Sequence, residues 1–203
     1  MIPFVFSERQ ELLDDGASAV LYRNALSDEE ASAAFRELES SVPWEQRSIT
    51  VFGRRVPQPR LVAWFGDPGR NYRYSGDLLH SQEWTSGLRE LRTICESLAG
   101  SKFNAVLLNL YRDGGDGVAW HADDESELGV DPVIGSLSLG ATRRFDLRHR
   151  ESGRTVSTDL PHASFLVMSG ATQRDWMHQI PKTKRPVGPR INLTFRWIHD
   201  PAD

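Results

Sequence analysis

The sequence predicts an α+β domain in which helices come first and an antiparallel sandwich or barrel follows. Two segments of helical periodicity occupy the first half, and eight short runs separated by turn residues occupy the second. No internal repeat or Pro/Ser-rich linker interrupts the 203 residues, so one domain over 1–203 is expected.

Each element has a local cause. Ser27-Asp28-Glu29-Glu30 has the form of a capping box and opens a helix whose Ala31, Ala34, Phe35 and Leu38 share a face. Val42-Pro43 ends it, because a residue before proline leaves the α region. A second helix is expected from Trp84 to Ala99, with Trp84, Leu88, Leu91, Cys95 and Leu98 at helical spacing and Gly100 beyond its end. Strands are expected at 103–111, 117–123, 133–139, 143–149, 155–160, 163–168, 175–180 and 190–198. Asp113–Gly117, Gly153, Pro161, Ser169-Gly170 and Pro186–Pro189 separate them.

Composition narrows the function classes. With 39% hydrophobic and 26% charged residues the chain buries a core and is not a disordered segment. A single cysteine, Cys95, excludes a disulfide framework, a zinc ribbon and a CxxC redox site, and suits a reducing cytosol. The opening residues lack a basic, apolar leader, and no apolar run approaches the ~20 residues of a membrane helix. The expected setting is cytoplasmic, away from membranes. Net charge is −4, which argues against nucleic-acid binding through bulk charge. The charge is unevenly spread: residues 1–45 hold three Arg against ten Asp/Glu, and residues 46–203 hold 21 Lys/Arg against 18. Arginines gather at Arg47, Arg54, Arg55, Arg60, Arg70 and Arg73, and at Arg143, Arg144, Arg148, Arg150 and Arg154. The plain reading is a solvated basic face; a local polyanion footprint needs support from elsewhere.

The period of two on the strand around Trp120-His121-Ala122-Asp123 puts His121 and Asp123 on one face, where an imidazole and a carboxylate can clamp one metal ion. HxD alone is a weak signal. His178, in the short strand 175–180, lies 55 residues after Asp123, and two histidines with one carboxylate match the facial triad of non-haem Fe(II) oxygenases. The same ligand set suits catalytic zinc. The last strand separates the two readings. In Arg190–Trp197 the even positions, Arg190, Asn192, Thr194 and Arg196, are polar, while Ile191, Leu193, Phe195 and Trp197 pack the other face. Two guanidinium forks shortly after the distal histidine suit a buried dicarboxylate such as 2-oxoglutarate, which a zinc hydrolase does not need. Asn109 and Tyr111 add an amide and a phenol on one face of a neighbouring strand.

Together, Asn109-Leu110-Tyr111, Gly114, His121-Ala122-Asp123-Asp124-Glu125, His178 and Arg190–Arg196 resemble the AlkB family of 2-oxoglutarate- and Fe(II)-dependent dioxygenases, over residues 47–198. The resemblance is nearest to the branch of animal homologues that repair DNA. Pro59–Asp67 and Tyr72–Gly76 resemble that branch's nucleotide-recognition lid. Val51-Phe52-Gly53 resembles the apolar finger of its duplex-active member, and Asn109–Arg112 and Trp120-His121 lean towards the single-strand-active one.

The resemblance implies a double-stranded β-helix (jelly-roll) core over 100–198, an acidic flanking region with helices over 1–45 and a lid over 46–80. It implies oxidative demethylation of N-alkylated bases, 1-methyladenine and 3-methylcytosine, in DNA, by a monomer, and leaves RNA open as a further substrate. Fe(II), 2-oxoglutarate and O₂ would be consumed or bound, with release of formaldehyde and succinate. His121, Asp123 and His178 would be catalytic metal ligands, and Asn109, Tyr111, Arg190, Asn192 and Arg196 would hold 2-oxoglutarate. Tyr74 and His121 would sandwich the damaged base and Glu125 would read its exocyclic edge. Phe52, Arg60, Tyr72, Ser75 and Arg150 would contact the substrate. The competing readings are a dioxygenase of the same fold acting on protein or a small molecule, and a non-catalytic nucleic-acid-binding module.

Overall fold

Polar and apolar residues alternate from Arg190 to Arg196, yet every one of them is buried. Such a strand needs a layer on both sides, and the computed structural model supplies both. It describes residues 8–51, 54–70, 72–74 and 77–199.

In chain order the elements are β1 (Arg9–Asp14), β2 (Ala17–Tyr22), α1 (Asp28–Ser41), β3 (Ser48–Val51), β4 (Arg54–Pro57), β5 (Leu61–Gly66), β6 (Tyr72–Tyr74), β7 (Asp77–Leu79), α2 (Ser86–Ala99), β8 (Ala105–Tyr111), β9 (Val118–His121), β10 (Ile134–Gly140), β11 (Arg143–His149), β12 (Thr155–Leu160), β13 (Ser164–Gly170), α3 (Thr172–Asp175), β14 (Trp176–Ile180) and β15 (Arg190–Arg196). A seven-stranded sheet runs β1-β2-β13-β10-β15-β8-β5, and a four-stranded sheet runs β12-β11-β14-β9. The pairings within both sheets are antiparallel. Hairpins β3-β4 and β6-β7 stand apart from the sheets.

Two cores result. Leu107, Tyr111, Phe145, Leu147, Met168, Trp176 and Ile180 fill the space between the sheets. On the opposite face of the large sheet, Ile191, Leu193 and Phe195 of β15 meet Leu38 of α1 and Leu88 and Cys95 of α2. The period of two thus sends the apolar set of β15 to the helices and the polar set inward. Both helices end as their sequences require. Ser27 Oγ accepts from the Glu30 amide at 3.2 Å, while Glu30 Oε2 accepts from the Ser27 amide at 2.9 Å. Gly100 follows α2 at φ +62°, a left-handed position that costs glycine little. Among the described residues no helix is long and apolar enough to cross a membrane.

Four sequence expectations change. The acidic N-terminal region is not only helical, because β1 and β2 extend the large sheet beside β13. Its outermost strand, Arg-Gln-Glu-Leu-Leu-Asp, is mostly exposed and charged, which hides a strand from a periodicity reading and protects a sheet edge. The expected lid over 46–80 contains β5, a buried strand paired with β8. The strand expected over 117–123 ends at His121, so Asp123 lies beyond it. Trp197 follows the end of β15 and is 44% exposed instead of packing the apolar face.

Candidate active site

The polar face of β15 looks into a narrow cleft of about 40 Å³ between the two sheets. Arg190, Asn192, Thr194 and Arg196 line one wall, with Asn109 and Tyr111 from β8 and Ser136 from β10 beside them. His121 and His178 face them from the small sheet.

The small sheet brings the two histidines together by register. His178 of β14 pairs directly with His121 of β9, and their ring centroids are 4.2 Å apart. Asp123 joins them without strand pairing. Its amide donates to Gln173 Oε1 at 2.9 Å, and its Oδ1 accepts from Arg196 Nη2 at 2.8 Å. One ligand atom from each of His121, Asp123 and His178 lies within 4.8 Å of the others.

Protonation states suit a cation. Burial pushes His178 down to about 3, helped by neighbouring His121, so the ring is neutral at physiological pH. Its Nδ1 is buried with no hydrogen-bond partner. His121 Nδ1 lies 2.8 Å from the Ala119 carbonyl, which fixes the N–H on Nδ1 and leaves the lone pair on Nε2. Burial alone would raise the Asp123 carboxyl, but Arg196 and the two imidazoles outweigh it and hold it below the usual carboxylate range. Two imidazoles and one carboxylate form a donor set that fits Fe(II) or another divalent first-row ion.

Further along the same wall lies a buried cation. Arg190 Nη2 donates to Ser138 Oγ at 2.9 Å, while its Nε and Nη1 are buried without hydrogen-bond partners. Burial lowers its pKa to about 10, still far above neutrality, and the Tyr111 ring lies 5.2 Å from the guanidinium carbon. A buried guanidinium with two unfilled donors fits a carboxylate fork. Among the described residues no carboxylate side chain lines this end of the cleft; Asp123 at the other end is already held by Arg196.

The remaining site residues divide. Asn192 Nδ2 donates to Ser136 Oγ and to the Leu137 carbonyl, and its Oδ1 accepts from Thr194, so the amide is committed to the protein. Arg196, expected on 2-oxoglutarate, lines the cleft and makes an ion pair with Asp123. Arg60, expected on the substrate, is buried; its Nε donates to Asn109 Oδ1 at 2.9 Å and its Nη1 to the Gly117 carbonyl at 3.4 Å. It braces the wall between this cleft and a wider one of about 560 Å³, lined by Gln58–Arg60, Gly117–Ala122, Glu125 and Gln179–Lys182. His121 and Arg60 border both cavities. Glu125 lines the wider cleft from a loop before a 3₁₀ turn (Ser126–Leu128), not from a continued strand. Arg150 pairs with Asp124 at 3.0 Å and is absent from the lining of both cavities. Tyr72 and Tyr74 belong to β6, paired with Leu79 and Asp77. Phe52 and Ser75 lie outside the described residues.

Sequence reasoning missed Ser136, Ser138 and Arg143. The serines had a signal, since Ile-Gly-Ser-Leu-Ser-Leu-Gly alternates small polar with large apolar residues. Arg143 had none: its guanidinium donates to the carbonyls of Asp113, Asp116 and Pro181, tying together segments up to 38 residues away.

Residues 18–196 match the model of the 2OG-Fe(II) oxygenase superfamily. The chain belongs to the 2OG-Fe(II) oxygenase superfamily. Within it, the chain is 41% identical over 195 residues to human alpha-ketoglutarate-dependent dioxygenase alkB homolog 3, covering 91% of this chain and 68% of that protein. It is likewise 41% identical over 181 residues to mouse DNA oxidative demethylase ALKBH2, covering 83% of this chain and 75% of that protein. It spans 68% of the human and 62% of the bovine homolog 3 protein, so these relatives are longer. The solved structure of OsALKBH1 superimposes with a TM-score of 0.66 at 15% identity, covering 94% of this chain and all of that one, a likeness of fold. The fold is thus the α+β jelly roll of this superfamily of dioxygenases.

Proposed function

We propose that this oxygenase oxidatively demethylates N-alkylated bases in DNA, with 1-methyladenine and 3-methylcytosine as substrates and RNA as a further one. The observation that carries this reading is the two-chambered site. The triad and the buried Arg190 share an inner cleft, and His121 stands at its junction with a larger outer cleft. The 41% identity to a DNA oxidative demethylase supports the substrate class.

His121, Asp123 and His178 would hold Fe(II), which with 2-oxoglutarate and O₂ supplies the oxidation that hydroxylates an N-methyl carbon. Arg190 receives the distal carboxylate of 2-oxoglutarate, with Tyr111 and Ser138 fixing its orientation. Arg60 holds Asn109, and Asn192 and Thr194 keep the polar wall rigid. Arg196 is a positioning residue that sets the Asp123 carboxylate. Glu125 faces the outer cleft, where a carboxylate accepts from an exocyclic amino group. We assign Tyr72, Tyr74, Ser75 and Phe52 to the substrate strand on family likeness. Flipping a base from a duplex costs a few kcal/mol, less where methylation already blocks pairing. We further propose a monomer working in the cytoplasm; the single cysteine, Cys95, is buried with its thiol pushed well up, which suits a reducing compartment.

The test is formaldehyde and succinate release from methylated and unmethylated oligonucleotides, as single strands, duplexes and RNA. Formaldehyde from methylated DNA and RNA, and none from their unmethylated counterparts, is expected. Its absence with every methylated nucleic acid, alongside turnover of a peptide or small molecule, would overturn the substrate assignment.

A further inference from the structure

We propose that Arg143 is a positioning residue for 2-oxoglutarate, a second buried cation behind Tyr111 that makes the inner cleft select a cosubstrate with a charged tail. This rests on the reading that Arg190 receives the distal carboxylate.

Strand register brings Arg143 to that end of the cleft. Arg190 of β15 pairs with Tyr111 of β8 on one side and with Gly140 of β10 on the other. The chain turns after Gly140 and enters the small sheet as β11 at Arg143. Phe145 and Leu147 point into the core between the sheets, so the period of two sends Arg143 the same way. Its guanidinium carbon lies 5.7 Å from the Tyr111 ring, and that of Arg190 lies 5.2 Å from the same ring. Arg143 does not itself line the cleft, so its charge acts across Tyr111 and not by contact with the ligand.

What sets Arg143 apart is burial without a counter-ion. It is 3% exposed, and its Nη1 and Nη2 donate to the carbonyls of Asp113, Asp116 and Pro181 at 2.8–3.1 Å. Those three acceptors fix the guanidinium but carry no net charge. The neighbouring carboxylates are engaged elsewhere: Arg112 takes both oxygens of Asp116, and Asp113 Oδ1 accepts from the Gly115 amide. Arg196, equally buried, has Asp123 as its anion. Among the described residues neither Arg143 nor Arg190 lies within ion-pair distance of a carboxylate. Burial pushes the pKa of Arg143 down against the pull of Tyr111, Asp116 and Asp113, and Arg143 adds to the burial that lowers Arg190. Two guanidiniums held at one end of a cleft with no anion between them repel each other, and an arriving carboxylate relieves both. The triad stands towards the other end, so this charge acts on the tail of the cosubstrate and not on its 2-oxo acid head.

The experiment is calorimetric titration of the full chain loaded with Mn(II), comparing 2-oxoglutarate with 2-oxopentanoate, which carries a methyl group in place of the distal carboxylate. A second charge one ring width beyond the first, at an effective dielectric of about 20, changes affinity by roughly tenfold to thirtyfold. Arg143→Gln should therefore lower the preference for 2-oxoglutarate over 2-oxopentanoate by that factor, through weaker 2-oxoglutarate binding alone. A general loosening of the site would weaken both ligands and leave their ratio in place. Arg143→Lys, which keeps the charge and loses the fork, should keep most of the preference. Arg144→Gln, at the next position of the same strand and paired with Asp146, should leave the ratio unchanged. Arg190→Gln should remove the preference. An unchanged ratio in Arg143→Gln would overturn the role of Arg143 alone, and so would a loss in Arg143→Lys as large as that in Arg190→Gln. A ratio left intact by Arg190→Gln would instead overturn the placement of the distal carboxylate.

Discussion

Arg196 donates from Nη2 to Asp123 Oδ1 at 2.8 Å, and the two side chains are only 3% and 4% exposed. This ion pair stands in for a β-ladder. Because β9 stops at His121, no strand partner orients Asp123, and its position depends on Arg196 and on Gln173, which accepts its amide hydrogen. A carboxylate so far from water stays charged only beside such a partner.

Removing that partner is costly. Arg196→Met should destabilise the protein by ~3–5 kcal/mol, the usual penalty for orphaning a buried charge. The melting midpoint should fall by roughly 10 °C or more, and titration with a divalent ion should show weakened binding. Scanning calorimetry and metal titration check this; an unchanged midpoint together with unchanged metal affinity would refute the positioning role.

The triad predicts a pH dependence for the metal-free protein. His178 takes a proton near 6.5 when unfolded but only at about 3 when folded. The unfolded state therefore binds more protons between these values, so stability rises with pH across that window. It is fully present above about 6.5 and is lost as pH falls from there towards 3. The depressed Asp123 carboxyl adds a further loss below the ordinary carboxylate range. Melting curves of chelator-treated protein from pH 8 to 4.5 should show the decline, and His178→Asn should flatten its upper part. A midpoint independent of pH from 7 to 5 would contradict the neutral, buried imidazole.

Arg190 should govern 2-oxoglutarate and little else. Arg190→Met removes a buried cation worth ~3–5 kcal/mol to its anionic partner, which corresponds to at least a hundredfold rise in the 2-oxoglutarate requirement. The oligonucleotide KM should stay within a few fold. Ser138→Ala, which loses one hydrogen bond to the same guanidinium, should raise the requirement by about fivefold to tenfold. Parallel losses for both substrates would point to a folding defect.

The capping box on α1 offers a stability change remote from the chemistry. Ser27→Ala leaves the Glu30 amide without its side-chain acceptor, at a cost of about 1 kcal/mol. For a chain of this size the midpoint should fall by about 2–4 °C. Turnover per folded molecule should not change. A drop in kcat at temperatures well below the midpoint would show that α1 reaches the site.

The sequence by itself determined the features whose causes are local. The capping box, the glycine after α2, the alternation of β15 and the HxD pair with a later histidine are written in spans of a few residues, and periodicity exposes them. It therefore specified the fold class and pointed to the His121, Asp123 and His178 cluster. Only the tertiary structure decided which groups each polar side chain meets. Arg60 meets Asn109, 49 positions away, and Arg196 meets Asp123, 73 positions away. β2 found its partner in β13, across more than 140 residues of chain. Such contacts arise from strand register and sheet closure, and register is set by how the whole core packs. A charged edge strand such as β1 carries too weak an alternation to announce itself, and it becomes a strand because β2 is there to pair with it.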